Sequence, residues 1–170
     1  MPIALIRNVS SSIQRCELTH MTRERVDLDR ARSQHTTYAH ALAELGCQVK
    51  YLPELNDHPD AVFVEDTVVV VPEIAVLTNP GARSRRGEID SMETVISSFR
   101  PTARIDDPGI LEGGDVLRIG REVFVGCATR SCEEGINQLR SHLQPFGYVP
   151  ACATPTVFFI TFVGAKCEGS

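Results

Sequence analysis

The chain has 170 residues, 42% of them hydrophobic, and a formal net charge of −5 from 17 basic and 22 acidic residues. That is enough chain for one domain with a sizeable core, and the acidic balance excludes nucleic acid as the expected partner, because phosphates demand a basic stripe. No apolar run has the length of a membrane span, and Met1 to Arg7 is too short for a signal peptide, so the expectation is a cytoplasmic protein with no membrane partner.

Ile3 to Ile6 reads as a buried strand. A polar stretch follows to about Asp27, long enough to suggest a functional loop or lid. Leu28 to Leu45 has helical spacing, with Leu28, Ala31, Tyr38, Leu42 and Leu45 on the inner side and Gly46 as the stop. Gln48 to Leu52 is the next strand. Asp66 then opens an apolar strand, Thr67 to Val71, with Glu65 placed inside it; Pro72-Glu73 is the turn and Ile74 to Leu77 the return. A helix with Ile89, Met92, Val95, Ile96 and Phe99 on one face comes next.

A second copy starts at Asp115. Val116 to Ile119, the Gly120-Arg121 turn and Val123 to Val125 repeat the hairpin. Ser131 and Glu134 have capping-box spacing for a helix that buries Ile136, Leu139 and Leu143 and ends at Gly147. Laying Asp66 over Asp115 also lays Val76 over Val125 without a gap. Strand–turn–strand–helix units of this kind cannot bury an apolar face alone, so copies must pack around a shared core, with the repeated acids facing a common centre. An α/β class follows. An ordinary α/β sheet with chance similarity is the alternative.

Four clusters could carry chemistry. Asp60, Phe63, Glu65 and Asp66 lie within one short stretch, and carboxylates there could accept from the planar N–H fork of a guanidinium; turn and capping work by Asp60 and Asp66 is the bland alternative. In Glu112-Gly113-Gly114-Asp115, two glycines let backbone approach closely and aim the acids. Arg85 and Arg130 could each hold a carboxylate, while Arg86 and Glu88 read as a solvated helix start. Cys132, at a helix N-terminus, would have a lowered pKa, although such a residue is more often simply small and buried. The six cysteines show no paired CxxC spacing and read as reduced thiols, and the histidines require no functional role.

These stretches together resemble the dimethylargininase branch of the pentein superfamily. The likeness rests on Glu17-Leu18-Thr19-His20, Asp60 to Asp66, Asn79 to Glu88, Pro108 to Leu117, and Arg130 through Gln138-Leu139, and covers about residues 1–148. The resemblance implies an α/β-propeller of ββαβ modules, of which about three of five lie in this chain as a propeller domain over 1–148, followed by a divergent tail over 149–170. It implies hydrolysis of N-methylated arginine to citrulline and a methylamine, with no cofactor or metal and the option of a homodimer. Glu112 would be the acid of a Cys–His–Glu triad. Asp60, Phe63, Glu65 and Asp66 would line the guanidinium end, Arg85 and Arg130 would bind the amino-acid carboxylate, and Leu18 would lie in a lid.

The pattern stops after Phe146-Gly147-Tyr148. No His follows His142, and Ala165-Lys166-Cys167-Glu168-Gly169 is not the family's nucleophile motif. Two readings therefore stay open. One is an amidinohydrolase by family, with arginine deiminase, agmatine deiminase or amidinotransferase as rivals, of which the paired arginines disfavour agmatine. The other is a catalytically incompetent, truncated chain that at most binds arginine-like cations.

Overall fold

The computed structural model describes residues 1–17, 26–127 and 130–153. Strand β1 (Ile3–Ile6) leads through a 3-10 turn at Ile13–Arg15 to helix α1 (Leu28–Glu44) and strand β2 (Gln48–Tyr51). β1 and β2 pair in parallel. Asp27 caps α1 by accepting from the Arg30 N–H at 3.0 Å, one of the first-turn donors that a helix cannot satisfy internally. Gly46, at φ 85°, takes the left-handed turn beyond the last residue.

The inner stripe of α1 differs from the sequence expectation. Ala39 is buried and Ala31, His35 and Leu42 are half-buried, whereas Tyr38 and Leu45 are 56% and 80% exposed. A two-stranded sheet is narrow and covers only a narrow stripe. Tyr38 and Leu45 fall on its flank.

Two larger units follow. The first is β3 (Val68–Val70), β4 (Ala75–Leu77), α2 (Arg86–Ile96) and β5 (Thr102–Arg104); the second is β6 (Val116–Ile119), β7 (Glu122–Gly126), α3 (Glu133–Leu143) and β8 (Val149–Ala153). In each, the hairpin strands are antiparallel and the returning strand pairs in parallel with the strand after the helix. The residue separation between Asp66 and Asp115 also carries the pair Ala75–Thr102 onto Phe124–Ala151. The repeat thus includes β5 and β8, two strands that periodicity did not reveal.

The equivalence loosens at the hairpins. Val76 faces Val69, but Val125 faces Val116, so the first strand of the second unit is displaced by two residues. The tight turn at Gly120, with φ 63°, closes that hairpin one residue earlier. A two-residue displacement keeps inward side chains inward, which a one-residue slip would not.

Not one shared core but two form, one at each junction between successive units. Ile89, Met92 and Ile96 of α2 pack with Leu52, Ala75 and Leu77, and with Leu5 from β1. Ile136, Leu139 and Leu143 of α3 pack with Val123 and Val125 and with Val69, Val71 and Val76 of the preceding unit. Alternation along β4 is the physical cause: Val76 points to one core, and Ala75 and Leu77 point to the other.

One further expectation is corrected. Glu65 and Asp66 lie in a 3-10 turn, Val64–Thr67, ahead of the strand rather than within it. Val149–Ala153, just beyond Tyr148, pairs with β7 along its length. Among the described residues no helix is long and apolar enough to cross a membrane.

Gly135, in the first turn of α3, tests the packing of that helix. A Cβ there would lie 2.2 Å from the Ile110 carbonyl oxygen. Gly135→Ala is expected to lose about 2 kcal/mol in urea unfolding, since overpacking against backbone outweighs the roughly 1 kcal/mol gained in helix propensity.

Candidate active site

The two acidic stretches become two 3-10 turns, Val64–Thr67 and Gly113–Asp115. They pack directly on each other. A Cβ on Gly113 would sit 2.1 Å from the Glu65 carbonyl oxygen, and one on Gly114 would sit 2.3 Å from Asp66 Oδ1. The glycine pair is therefore required by close approach of backbone and carboxylate, not only by turn geometry. Asp66 joins the turns: the Gly114 N–H donates to its Oδ1 at 3.1 Å and Arg85 Nη1 donates to its Oδ2 at 2.6 Å.

Arg85 is 5% exposed. Its Nη2 donates to Glu88 Oε2 at 3.0 Å and to the Asp60 and Phe63 carbonyls at 3.4 and 3.3 Å, and its Nε reaches Glu88 Oε1 at 3.3 Å. The Arg85 guanidinium, expected to clamp a substrate carboxylate, is here paired with the carboxylates of Asp66 and Glu88. Asp60 is also turned to the protein: both its oxygens accept from the Glu17 N–H, at 3.2 and 3.1 Å. Burial raises its pKa, opposed by that N–H and by the charge of Arg85. Ser84 Oγ donates to the Glu17 carboxylate at 2.8 Å, so Asp60 anchors the chain immediately before residues 18–25. Leu18, the expected lid residue, lies outside the described residues.

Phe63 is 44% exposed beside these acids. Glu65 is accessible to solvent, yet protein surrounds it closely enough that desolvation raises its pKa.

Glu112 is 3% exposed and its pKa is pushed up to about 6, first by burial and then by the charge of Asp66, against the pull of Arg130 and Arg85. Its backbone N–H donates to Ser131 Oγ at 3.2 Å. Its Oε2 has no hydrogen-bond partner among the described residues; Arg130 Nη1 lies 3.3 Å away in an ion pair without hydrogen-bond alignment. Arg130, with a side chain 48% exposed, also reaches Asp115 Oδ1 at 3.2 Å. Asp115 Oδ2 accepts from Ser131 Oγ at 2.7 Å. The Ser131 hydroxyl is thus engaged with Asp115 instead of capping α3, whose N-cap is Cys132.

Two open clefts, of about 300 and 270 Å³, lie elsewhere, one beside Asn8, Arg32 and His35 and the other beside Asn79, Arg86 and Asp107. Neither holds a buried carboxylate with an unmatched oxygen, so the acid cluster is the candidate site. Among the described residues no group of three His, Cys, Asp or Glu is placed to hold a metal ion.

The chain as a whole is similar to known proteins. No family model matches the sequence. A dimethylarginine dimethylaminohydrolase from Streptomyces coelicolor is 39% identical over 145 residues, covering 85% of this chain and 56% of the relative. Its counterpart from Pseudomonas aeruginosa is 37% identical over 123 residues, covering 71% and 48%. The solved structure of the Pseudomonas aeruginosa protein, a variant complexed with citrulline, superposes with a TM-score of 0.84 at 32% identity, over 88% of this chain and 59% of that one. The chain is a relative of the dimethylargininases. It spans about half the length of the curated relatives it matches. Likeness in fold alone extends to the N-terminal domain of the arginine dihydrolase ArgZ of cyanobacteria, with a TM-score of 0.71 at 16% identity.

Beside the dimethylargininase-like residues stand several that sequence reasoning passed over. Glu88 read as a solvated helix start but is fully buried; its spacing from Arg85 and from Met92 on a helix face was the available signal. Arg7, also fully buried, donates to the Pro53 and Ala61 carbonyls and to Ser91 Oγ, at 3.0, 3.2 and 3.0 Å. No local pattern announces it.

Glu112 gives a pH signature. The folded protein holds its proton up to about pH 6, whereas a free Glu releases it near 4.5. The stability this contributes is complete below the lower value and is lost as pH rises through the higher one. Glu112→Gln should therefore match the parent near pH 4 and exceed its stability by about 2 kcal/mol near pH 8, read by denaturant melts across that range.

Proposed function

We propose that the paired acid turns form the guanidinium-facing wall of a dimethylargininase-type amidinohydrolase, built on a pentein α/β-propeller. The observation that carries this is the unmatched Oε2 of a buried Glu112, next to a second acid turn packed against it through glycine. A buried carboxylate oxygen without a donor is costly unless a partner arrives. Glu65, with the charge of Asp66 behind it, offers acceptor oxygens to a flat cation, and Phe63 offers an adjacent ring face.

In the proposed reaction a thiolate adds to the guanidinium carbon, the C–N bond to the methylated nitrogen breaks with protonation of the departing amine, and water then releases citrulline. Glu112 serves by accepting an N–H from the imidazole that handles those protons. Arg130 is the proposed ligand of the substrate carboxylate, leaving Glu112 and Asp115 to do so. Arg85 and Asp60 act indirectly, Arg85 by holding Asp66 and Asp60 by holding the chain before Leu18.

A second reading, cation binding without turnover, is set beside it because residues 149–170 depart from the dimethylargininase pattern.

Calorimetric titration of the chain with dimethylarginine, paired with a citrulline assay, tests both. Binding weakened at least tenfold by Glu65→Gln and little changed by Arg86→Ala is expected, the loss of one charge-assisted contact being worth about 1.5–3 kcal/mol. Equal affinity in Glu65→Gln would sink the guanidine assignment. Citrulline production abolished by thiol alkylation would remove the non-catalytic reading.

A further inference from the structure

We propose that Cys127 and Cys152 form a reversible intramolecular disulfide that staples the end of β7 to β8. The parallel register places Cys152 opposite Val125. Cys127 lies two residues further along, just past Gly126, so alternation puts it on the same face as Val125. The neighbouring Cys152 thiol raises the pKa of Cys127. Cys152 is exposed and Cys127 half-buried, its sulfur packed against the core beneath β7, and both are free thiols in this structure.

A disulfide requires the two Cα atoms to approach within about 7 Å. Gly126–Ala153 is the last pair of the ladder, so Cys127 stands just outside the strand pairing and closing the bond would not break a ladder pair. Cys132 is the rival thiol. Burial raises its pKa, but N–H groups of Gly135, Ile110 and Glu134 outweigh that and lower it. Its sulfur accepts from the Ile110 N–H at 3.2 Å and faces the Pro108 carbonyl at 3.9 Å. Those contacts hold it to the 108–110 segment.

The oxidant is a hydroperoxide. The exposed Cys152 thiolate attacks the terminal peroxide oxygen, the O–O bond breaks, and sulfenic acid and an alkoxide or hydroxide result. The Cys127 sulfur then displaces the sulfenic oxygen as water and the S–S bond forms. Two thiol protons and two electrons leave the protein, and the peroxide is reduced. The bond closes a loop that contains the whole of α3, and it secures β8, the outer strand of its sheet.

Treating the 170-residue chain with hydrogen peroxide and mapping peptides without reductant tests the proposal. The expected product is a peptide pair linked through Cys127 and Cys152, reversed by dithiothreitol, absent in Cys127→Ser and Cys152→Ser and retained in Cys132→Ser. The oxidised chain should melt about 5 °C higher than the reduced one, and Cys152→Ser, a change at an exposed position, should show no such shift. A predominant link through Cys132, links only between molecules, or peroxide-treated protein whose Cys127 and Cys152 both still alkylate would overturn it.

Discussion

One buried carboxylate organises the centre of this molecule. Asp66 accepts at the same time from the guanidinium of Arg85, at 2.6 Å, and from the backbone N–H of Gly114, at 3.1 Å. The first contact ties the turn to α2, and the second ties it to the next unit. Removing one partner of a buried pair leaves an uncompensated charge, at a cost of about 3–5 kcal/mol, so the three elements are held as one body. Glycine at 113 and 114 is a consequence of this constraint, since a side chain at either position would occupy the space of the acceptor it faces.

The same arrangement divides the acids into two kinds. Asp66, Glu88, Asp60 and Asp115 have donors from the protein and act as struts. Glu65 and Glu112 are left under-compensated, and both have raised pKa values because desolvation exceeds the attraction available to them. Arg85, committed to Asp66 and Glu88, offsets the charge of Glu112 only in part, and Arg130 does so from a half-exposed position. The cluster therefore carries more desolvated negative charge than its arginines offset.

The repeat was legible because it rests on local chemistry: an acid, a run of β-branched residues, a two-residue turn, a returning strand and an amphipathic helix, twice over. The strands after each helix were not legible. Thr102–Arg104 has no apolar run, and Val149–Ala153 carries Pro150 and Cys152, so both owe their conformation to parallel pairing with a buried neighbour. Ser131 shows how a local motif can mislead. Its spacing from Glu134 is that of a capping box, but Asp115, distant in sequence, offers its hydroxyl a charged acceptor.

By itself the amino-acid order determined the α/β class, the doubled unit, the helix stops and which residues could carry charge chemistry, because those follow from period, turn preference and side-chain type over a few residues. Which carboxylate is a strut and which is free, which arginine is sealed inside and which reaches solvent, and that two cores form in place of one were decided only when units distant in the chain met. Burial and the competition for a limited set of hydrogen-bond donors are properties of that meeting, and no stretch of sequence contains them.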